Sequence, residues 1–184
     1  MTGWWLVSYI VLWGVVAALG VLVVALAREI GALHLRLGPR GALEIDGEGP
    51  ELGAVVPPIE VEDLGGAATT LGGTGRTRLL LFASPTCEPC RDVVPAVGPL
   101  ADERLRTAIV TDAPRTLLDP WRRLGATVLL STEAFVAYSV PGTPFAVVLG
   151  EDGRVLAKGT ANNPEQLEGL VATAERRVAE AVPA

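Results

Sequence analysis

No charged side chain occurs from Thr2 to Ala27, and this neutral run limits what the chain can fold into more than any other feature. Trp4 to Ala27 is 24 residues, about 36 Å as a helix against a hydrocarbon core of roughly 30 Å, long enough to span a bilayer with some tilt. Trp4, Trp5, Tyr9 and Trp13 fall in its first half, where an aromatic belt meets one interface. Nothing along the run forms a polar face, which argues against a helix packed in a soluble core. A cleaved signal peptide is the competing reading, since Ala25-Leu26-Ala27 supplies a small-x-small site. The start carries no Lys or Arg, however, and the apolar run exceeds the roughly 7 to 15 residues of a signal core. A retained anchor is therefore expected.

Past the span, Ile30, Leu33 and Leu37 recur at helical spacing, so the helix is expected to continue to about residue 37, with His34 at the interface rather than serving as a ligand. Gly38-Pro39-Arg40-Gly41 breaks it, and residues 38–53, rich in Gly, Pro and acids, read as a linker. Residues 54–184 remain for one domain of ordinary size. The chain carries 15 Lys and Arg against 21 Asp and Glu, a net charge of −6. Its basic residues are scattered, so no nucleic-acid partner is expected. Two cysteines and one histidine are too few for a tetrahedral zinc site without carboxylates, and they exclude a cysteine-rich secreted scaffold.

Within the domain, Val55, Val56, Ile59 and Val61 suggest a short strand pair broken at Pro57-Pro58, followed by a loop with Gly65-Gly66 and Gly72-Gly73. Leu79 to Ala83 is wholly apolar and bounded by Arg78 and Ser84-Pro85, the mark of a strand buried on both faces. A helix is predicted over 87–104, a buried strand over 108–111, a helix over 116–124, a strand over 128–130 and a short helix over 133–138. A hairpin of 145–149 and 154–158 about Glu151-Asp152-Gly153 and an amphipathic helix over 164–179 close the chain. Strands alternating with helices and ending in an antiparallel hairpin give an α/β fold, a mixed sheet flanked by helices.

The chemistry is concentrated at Cys87-Glu88-Pro89-Cys90, placed where the buried strand ends and a helix begins. A cysteine at a helix N-terminus meets unpaired N–H groups and the positive end of the dipole, which favour thiolate and lower its pKa from about 8.5. One turn on, Cys90 is near enough to pair with it. Cys87 would attack a partner disulfide and Cys90 would resolve the mixed disulfide. Glu88 and Pro89 tune the redox poise, and Glu88 sets a negative charge beside the thiolate. Half of a zinc site, or two packing cysteines, are the other readings; the first lacks a second pair and the second does not explain the strand-to-helix position.

The run Phe82 to Cys90, with Pro95 five residues beyond, resembles the thioredoxin-fold active site, where such a proline kinks the first helix. Val140-Pro141-Gly142-Thr143-Pro144-Phe145 is similar to that family's cis-proline loop. The resemblance implies a cis Thr143-Pro144 bond facing the sulfurs, with Gly142 and the Thr143 backbone open to a substrate strand. An ordinary strand-entry proline is the alternative at Pro144. More narrowly, Leu26 to His34, Gly38 to Leu43 and Ser84-Pro85-Thr86-Cys87 resemble the MauD family of methylamine utilisation proteins. These are membrane-anchored thioredoxin-like proteins implicated in maturing the disulfide-rich small subunit of methylamine dehydrogenase. The resemblance covers nearly the whole chain. It implies protein dithiol and disulfide clients, that subunit among them, a further redox partner, and no cofactor beyond the Cys87–Cys90 disulfide.

The departures matter. Thr86 stands where thioredoxins usually have Trp, and Leu79-Leu80-Leu81 offers no buried acid on the central strand. Glu88 and Asp92 are the nearest acids, with solvated positions expected for both. Without a buried proton acceptor, oxidation or isomerisation of clients is favoured over their reduction. A thiol peroxidase is the alternative within enzymes: Ser84 fits its hydroxyl position, but Leu80 occupies that of its proline. A copper-delivery module is the non-enzymatic alternative, since Cu(I) accepts two thiolates. Disulfide chemistry belongs outside the cytoplasm. Arg28, Arg36 and Arg40 after the span argue for the opposite orientation, but they are interleaved with Glu29, Glu44 and Asp46, and the domain is expected on the extracytoplasmic, periplasmic side.

Overall fold

The computed structural model describes residues 3–36 and 47–181, without the side chains of 25–36. The chain divides into two units, 1–38 and 39–184. Helix α1 spans Gly3–Arg36. Its segment Gly3–Val24, with a mean hydropathy of 2.5, is long and apolar enough to cross a membrane, and its large apolar side chains from Trp4 to Val24 are exposed. The His34 side chain and linker positions 38–46 lie outside the described residues.

The second unit is built on the apolar run read as a central strand. β3 (Thr77–Phe82) buries Leu79, Leu80, Leu81 and Phe82 completely or nearly so, each side chain contributing about 1.5–3 kcal/mol relative to exposure. It pairs in parallel with β4 (Leu105–Thr111) and antiparallel with β6 (Phe145–Leu149). β5 (Thr127–Leu130) extends the sheet beside β4, and β7 (Val155–Thr160) closes the hairpin on β6. β1 (Ile59–Asp63) and β2 (Ala68–Leu71) complete the seven-stranded order β2-β1-β5-β4-β3-β6-β7.

Two cores follow from strand alternation. On one face Leu79, Leu81, Ile109 and Val148 meet α2 (Cys90–Val97) and α4 (Pro164–Ala181). On the other, Leu80, Phe82, Val110 and Val147 meet α3 (Thr132–Ala137). There Phe82 stacks edge-on against Phe135 at 5.2 Å and tilted against Tyr138 at 5.3 Å. Ser131 caps α3 by accepting the Ala134 N–H. The predicted mixed sheet flanked by helices is the observed architecture.

Several elements depart from the sequence expectation. α2 stops at Val97 rather than 104: Gly98 lies so close to the Leu124 carbonyl that a Cβ would overlap it, and Pro99 has no N–H to continue the ladder. The helix expected over 116–124 is two 3₁₀ turns, Arg115–Leu117 and Asp119–Arg123, because Pro120 cannot donate to the Thr116 carbonyl. Val55 makes only an isolated bridge to Arg154; Ile59–Asp63 pairs instead with the edge strand Ala68–Leu71 on one side and with β5 on the other. Of the stretch 38–53, the end from Glu48 is held on β7 and its hairpin. Lys158 Nζ donates to the Glu48 carbonyl at 2.6 Å, and the Gly53 N–H to the Val155 carbonyl at 2.8 Å. Gly49, at φ +68°, passes against the Phe145 ring where a side chain would collide.

Candidate active site

β3 runs out at Phe82, and the chain crosses Ser84-Pro85-Thr86 before entering α2. The crossing is held locally: the Cys87 N–H donates to the Ser84 carbonyl at 3.1 Å, and the Ser84 and Thr86 hydroxyls lie 2.9 Å apart. Thr86 is exposed, so no aromatic ring covers the site from that side. Cys87 and Cys90 form a disulfide. The two sulfurs differ in setting. Cys87 is half-buried at the surface, whereas Cys90, the first residue of α2, is only 1% exposed and sits in the core with Val93, Val94 and Val97.

The start of α2 has no capping side chain, since Pro89 occupies that position. The Cys90 N–H, one of the donors a helix start leaves unpaired, points instead to Cys87 Sγ at 3.3 Å. A donor on that sulfur stabilises negative charge there. Glu88 and Asp92 are both exposed, and the buried polar residues are Thr107, Thr111 and Lys158, so no described carboxylate is buried beneath the pair. Pro95 lies inside α2 and withholds its N–H from the Arg91 carbonyl. Among the described residues no group of three His, Cys, Asp or Glu is placed to hold a metal ion.

The second half of the site arrives from 56 residues further on. α3 ends at Ala137 with Tyr138 as its C-cap, and Ser139 turns left-handed at φ 47°. Its N–H donates to the Val136 carbonyl and that of Val140 to the Phe135 carbonyl, which directs the chain into Pro141-Gly142. The Thr143–Pro144 bond is cis. Pro144 is buried, Thr143 half-buried and Gly142 exposed. The Thr143 carbonyl oxygen lies 3.4 Å from Cys87 Sγ. It accepts from that sulfur when the cysteine is a thiol; in the disulfide there is no proton to donate. The structure thus brings Cys87, Cys90, Thr143 and Pro144 together, with Glu88 and Pro89 exposed on the turn between the sulfurs and Gly142 beside them.

A cleft of about 220 Å³ beside Cys90 is walled by Pro85, Cys90, Pro95, Pro120 and Trp121. Sequence reasoning did not reach Pro120 and Trp121. Both lie in the stretch expected to be a regular helix, and nothing in their spacing to Cys90 marks them as neighbours.

Comparison with known proteins decides the family. The chain is 33% identical over 174 residues to the methylamine utilization protein MauD of Methylophilus methylotrophus, covering 90% of this chain and 82% of that protein. It is also 33% identical over 179 residues to MauD of Paracoccus denitrificans, covering 93% and 89%. The chain belongs to the MauD family. No family model matches this MauD-family chain. Its fold is that of the thioredoxin domain of a thiol-disulfide oxidoreductase from Bacteroides vulgatus, with a TM-score of 0.55 at 18% identity over 68% of this chain and 99% of that one. A MauD relationship, a thioredoxin-like fold and a Cys-x-x-Cys disulfide at a helix start together make this an oxidoreductase whose reaction is thiol–disulfide exchange.

Proposed function

We propose that the chain is a membrane-anchored oxidoreductase acting on extracytoplasmic protein disulfides and dithiols, the small subunit of methylamine dehydrogenase being its client. The observation that carries the exchange chemistry is the asymmetry of the pair: Cys87 half-exposed under a donated N–H, Cys90 buried. A client thiolate attacks Cys87 Sγ, the Cys87–Cys90 bond breaks, and its electron pair leaves on Cys90. A second client thiolate then attacks the client sulfur of the mixed disulfide, and Cys87 departs as a thiolate. Two electrons have passed from client to chain, the client holds a disulfide, and the chain holds a dithiol. Each step is reversible, so isomerisation uses the same pair. That no carboxylate among the described residues is buried under the cysteines supports oxidation or isomerisation over reduction of clients. No cofactor besides the disulfide enters.

Thr143 serves as the backbone contact for the client. Its half-buried position next to Cys87 allows an extended client segment to pair along it, with Gly142 leaving room and Pro144 removing an N–H from the loop. Glu88 and Pro89 tune the exchange from the exposed turn, and Pro95 bends the helix beneath it. The apolar span Gly3–Val24 supports the anchor, and the persistence of disulfides outside the cytoplasm supports the periplasmic side. That the relatives serve methylamine utilization supports the methylamine dehydrogenase link.

The test is a Cys90→Ser variant of the full chain expressed with its own cellular clients. It keeps Cys87 and removes Cys90, so the pair cannot close; running the reversible exchange from the other side, the Cys87 thiolate attacks a client disulfide and releases one client thiolate. With no Cys90 thiolate to resolve them, the mixed disulfides accumulate, are released by dithiothreitol and are identified by mass. Adducts containing the methylamine dehydrogenase small subunit are expected. Adducts only to other proteins would overturn the client assignment, and no adduct at all would overturn the exchange role of Cys87.

A further inference from the structure

On the α3 face of the sheet, at the end of β3 and β4 remote from the disulfide, a cavity of about 420 Å³ opens among Arg76, Arg78, Arg106, Thr69, Thr107 and Thr127. Arg78 and Arg106 are direct partners in the parallel pairing of the two strands, so their side chains leave the same face of the sheet as neighbours. Adjacent like charges in a sheet destabilise it. Among the described residues no carboxylate lines the cavity, although acidic residues outnumber basic ones in the chain, 21 to 15. Elsewhere in the described domain arginines are paired with carboxylates, as in Arg115 with Glu62, Arg122 with Asp119 and Arg154 with Asp152. Arg76 and Arg106 have no hydrogen bond or ion pair among the described residues. Arg78 is held in place by donating to the Thr70 and Gly72 carbonyls at 3.2 and 3.0 Å, which leaves donors of its five-donor fork for a ligand.

Three guanidiniums around one mouth exceed what a single carboxylate uses, since one planar fork already satisfies its two oxygens. A tetrahedral oxyanion with more acceptor atoms fits the set. We propose that this cavity binds a phosphate group, either free phosphate or the phosphodiester headgroup of an anionic lipid. The site is separate from the redox pair, and its ligand relieves the Arg78–Arg106 repulsion.

The experiment uses the full chain in dodecyl maltoside, a detergent without phosphate. Inorganic phosphate is titrated against chloride at constant ionic strength, with binding read by calorimetry and by the melting temperature of the domain. Saturable binding and a rising melting temperature are expected. Arg106→Gln is expected to weaken binding at least tenfold, with a melting temperature in phosphate-free buffer equal to or above that of the parent because a like charge is gone. Arg76→Gln repeats the test from the loop before β3, and Arg154→Gln, outside the cavity, is expected to bind as the parent does. Doping the micelles with phosphatidylglycerol separates the sources. Loss of phosphate binding in the parent identifies the lipid headgroup as occupant, and unchanged binding identifies free phosphate. The proposal is overturned if neither ligand binds saturably, or if Arg106→Gln and Arg76→Gln both bind phosphate as tightly as the parent.

Discussion

Tyr138 is fully buried against Phe82, and its hydroxyl has no hydrogen-bond partner among the described residues. Burial pushes its pKa up to about 12 from the ordinary value of 10.0, with the nearby positive charge of Arg78 opposing the rise. A buried polar group without a partner costs about 1–3 kcal/mol. Tyr138→Phe keeps the ring contact with Phe82 and removes only the oxygen, so a gain of about 1 kcal/mol is expected, or roughly 3 °C in melting temperature. The same group makes the domain sensitive to alkali. Below pH 10 it is protonated in both folded and unfolded chains, and its contribution is constant. From pH 10 to about 12 the unfolded chain releases the proton while the folded one keeps it, so stability falls by about 1.4 kcal/mol per pH unit. Guanidinium unfolding of the detergent-solubilised chain, followed by near-ultraviolet circular dichroism at pH 8, 10 and 11, compares the two proteins. The phenylalanine variant should be more stable at pH 8 and lack that part of the alkaline slope. Equal slopes, or a variant less stable by about 1 kcal/mol or more at pH 8, would show that the hydroxyl has a partner and refute the reasoning.

Two further perturbations probe the frame. Asp102 accepts N–H bonds from Leu105 and Arg104 at 2.6 and 2.7 Å, which hold its carboxyl below the usual range; its contribution is present above the ordinary carboxylate pKa and is lost as pH falls through the depressed one, so Asp102→Asn should flatten the acid limb of a stability profile. Gly98→Ala places a Cβ against the Leu124 carbonyl and should cost about 1–3 kcal/mol in denaturant midpoint, with thiol exchange in the folded state intact.

The parts of the fold that were legible are those set by local apolar pattern. Leu79 to Phe82 is apolar on both faces because both faces carry helices, and Phe145 to Leu149 beside it is the same case. β2 was not legible, since Ala68, Thr69 and Thr70 are exposed at a sheet edge and leave no apolar alternation. The attachment of Glu48 to Gly53 was hidden because the segment contributes backbone groups to each of its bonds with the β7 hairpin, the Glu48 and Gly53 carbonyls and the Gly53 N–H, which no residue type advertises. At the site, the cysteine spacing and Pro144 could be read from motifs. The N–H of Cys90 on Cys87 could not; the resemblance implied that Thr143-Pro144 faces the sulfurs, and the contact of the Thr143 carbonyl with Cys87 itself depends on β3 and β6 being neighbours. The convergence of Arg78 and Arg106 was equally unreadable, because it follows from the register of two strands 28 residues apart.

Thiol–disulfide exchange at Cys87 and Cys90 is tested most directly by equilibrating the full chain in glutathione buffers of graded potential, then alkylating and weighing it. One reversible two-electron transition is predicted, with a tenfold change in the oxidised-to-reduced ratio for about every 30 mV and both alkyl groups on Cys87 and Cys90 in the reduced form. A chain in which these two residues form no reversible disulfide at any potential would contradict the account.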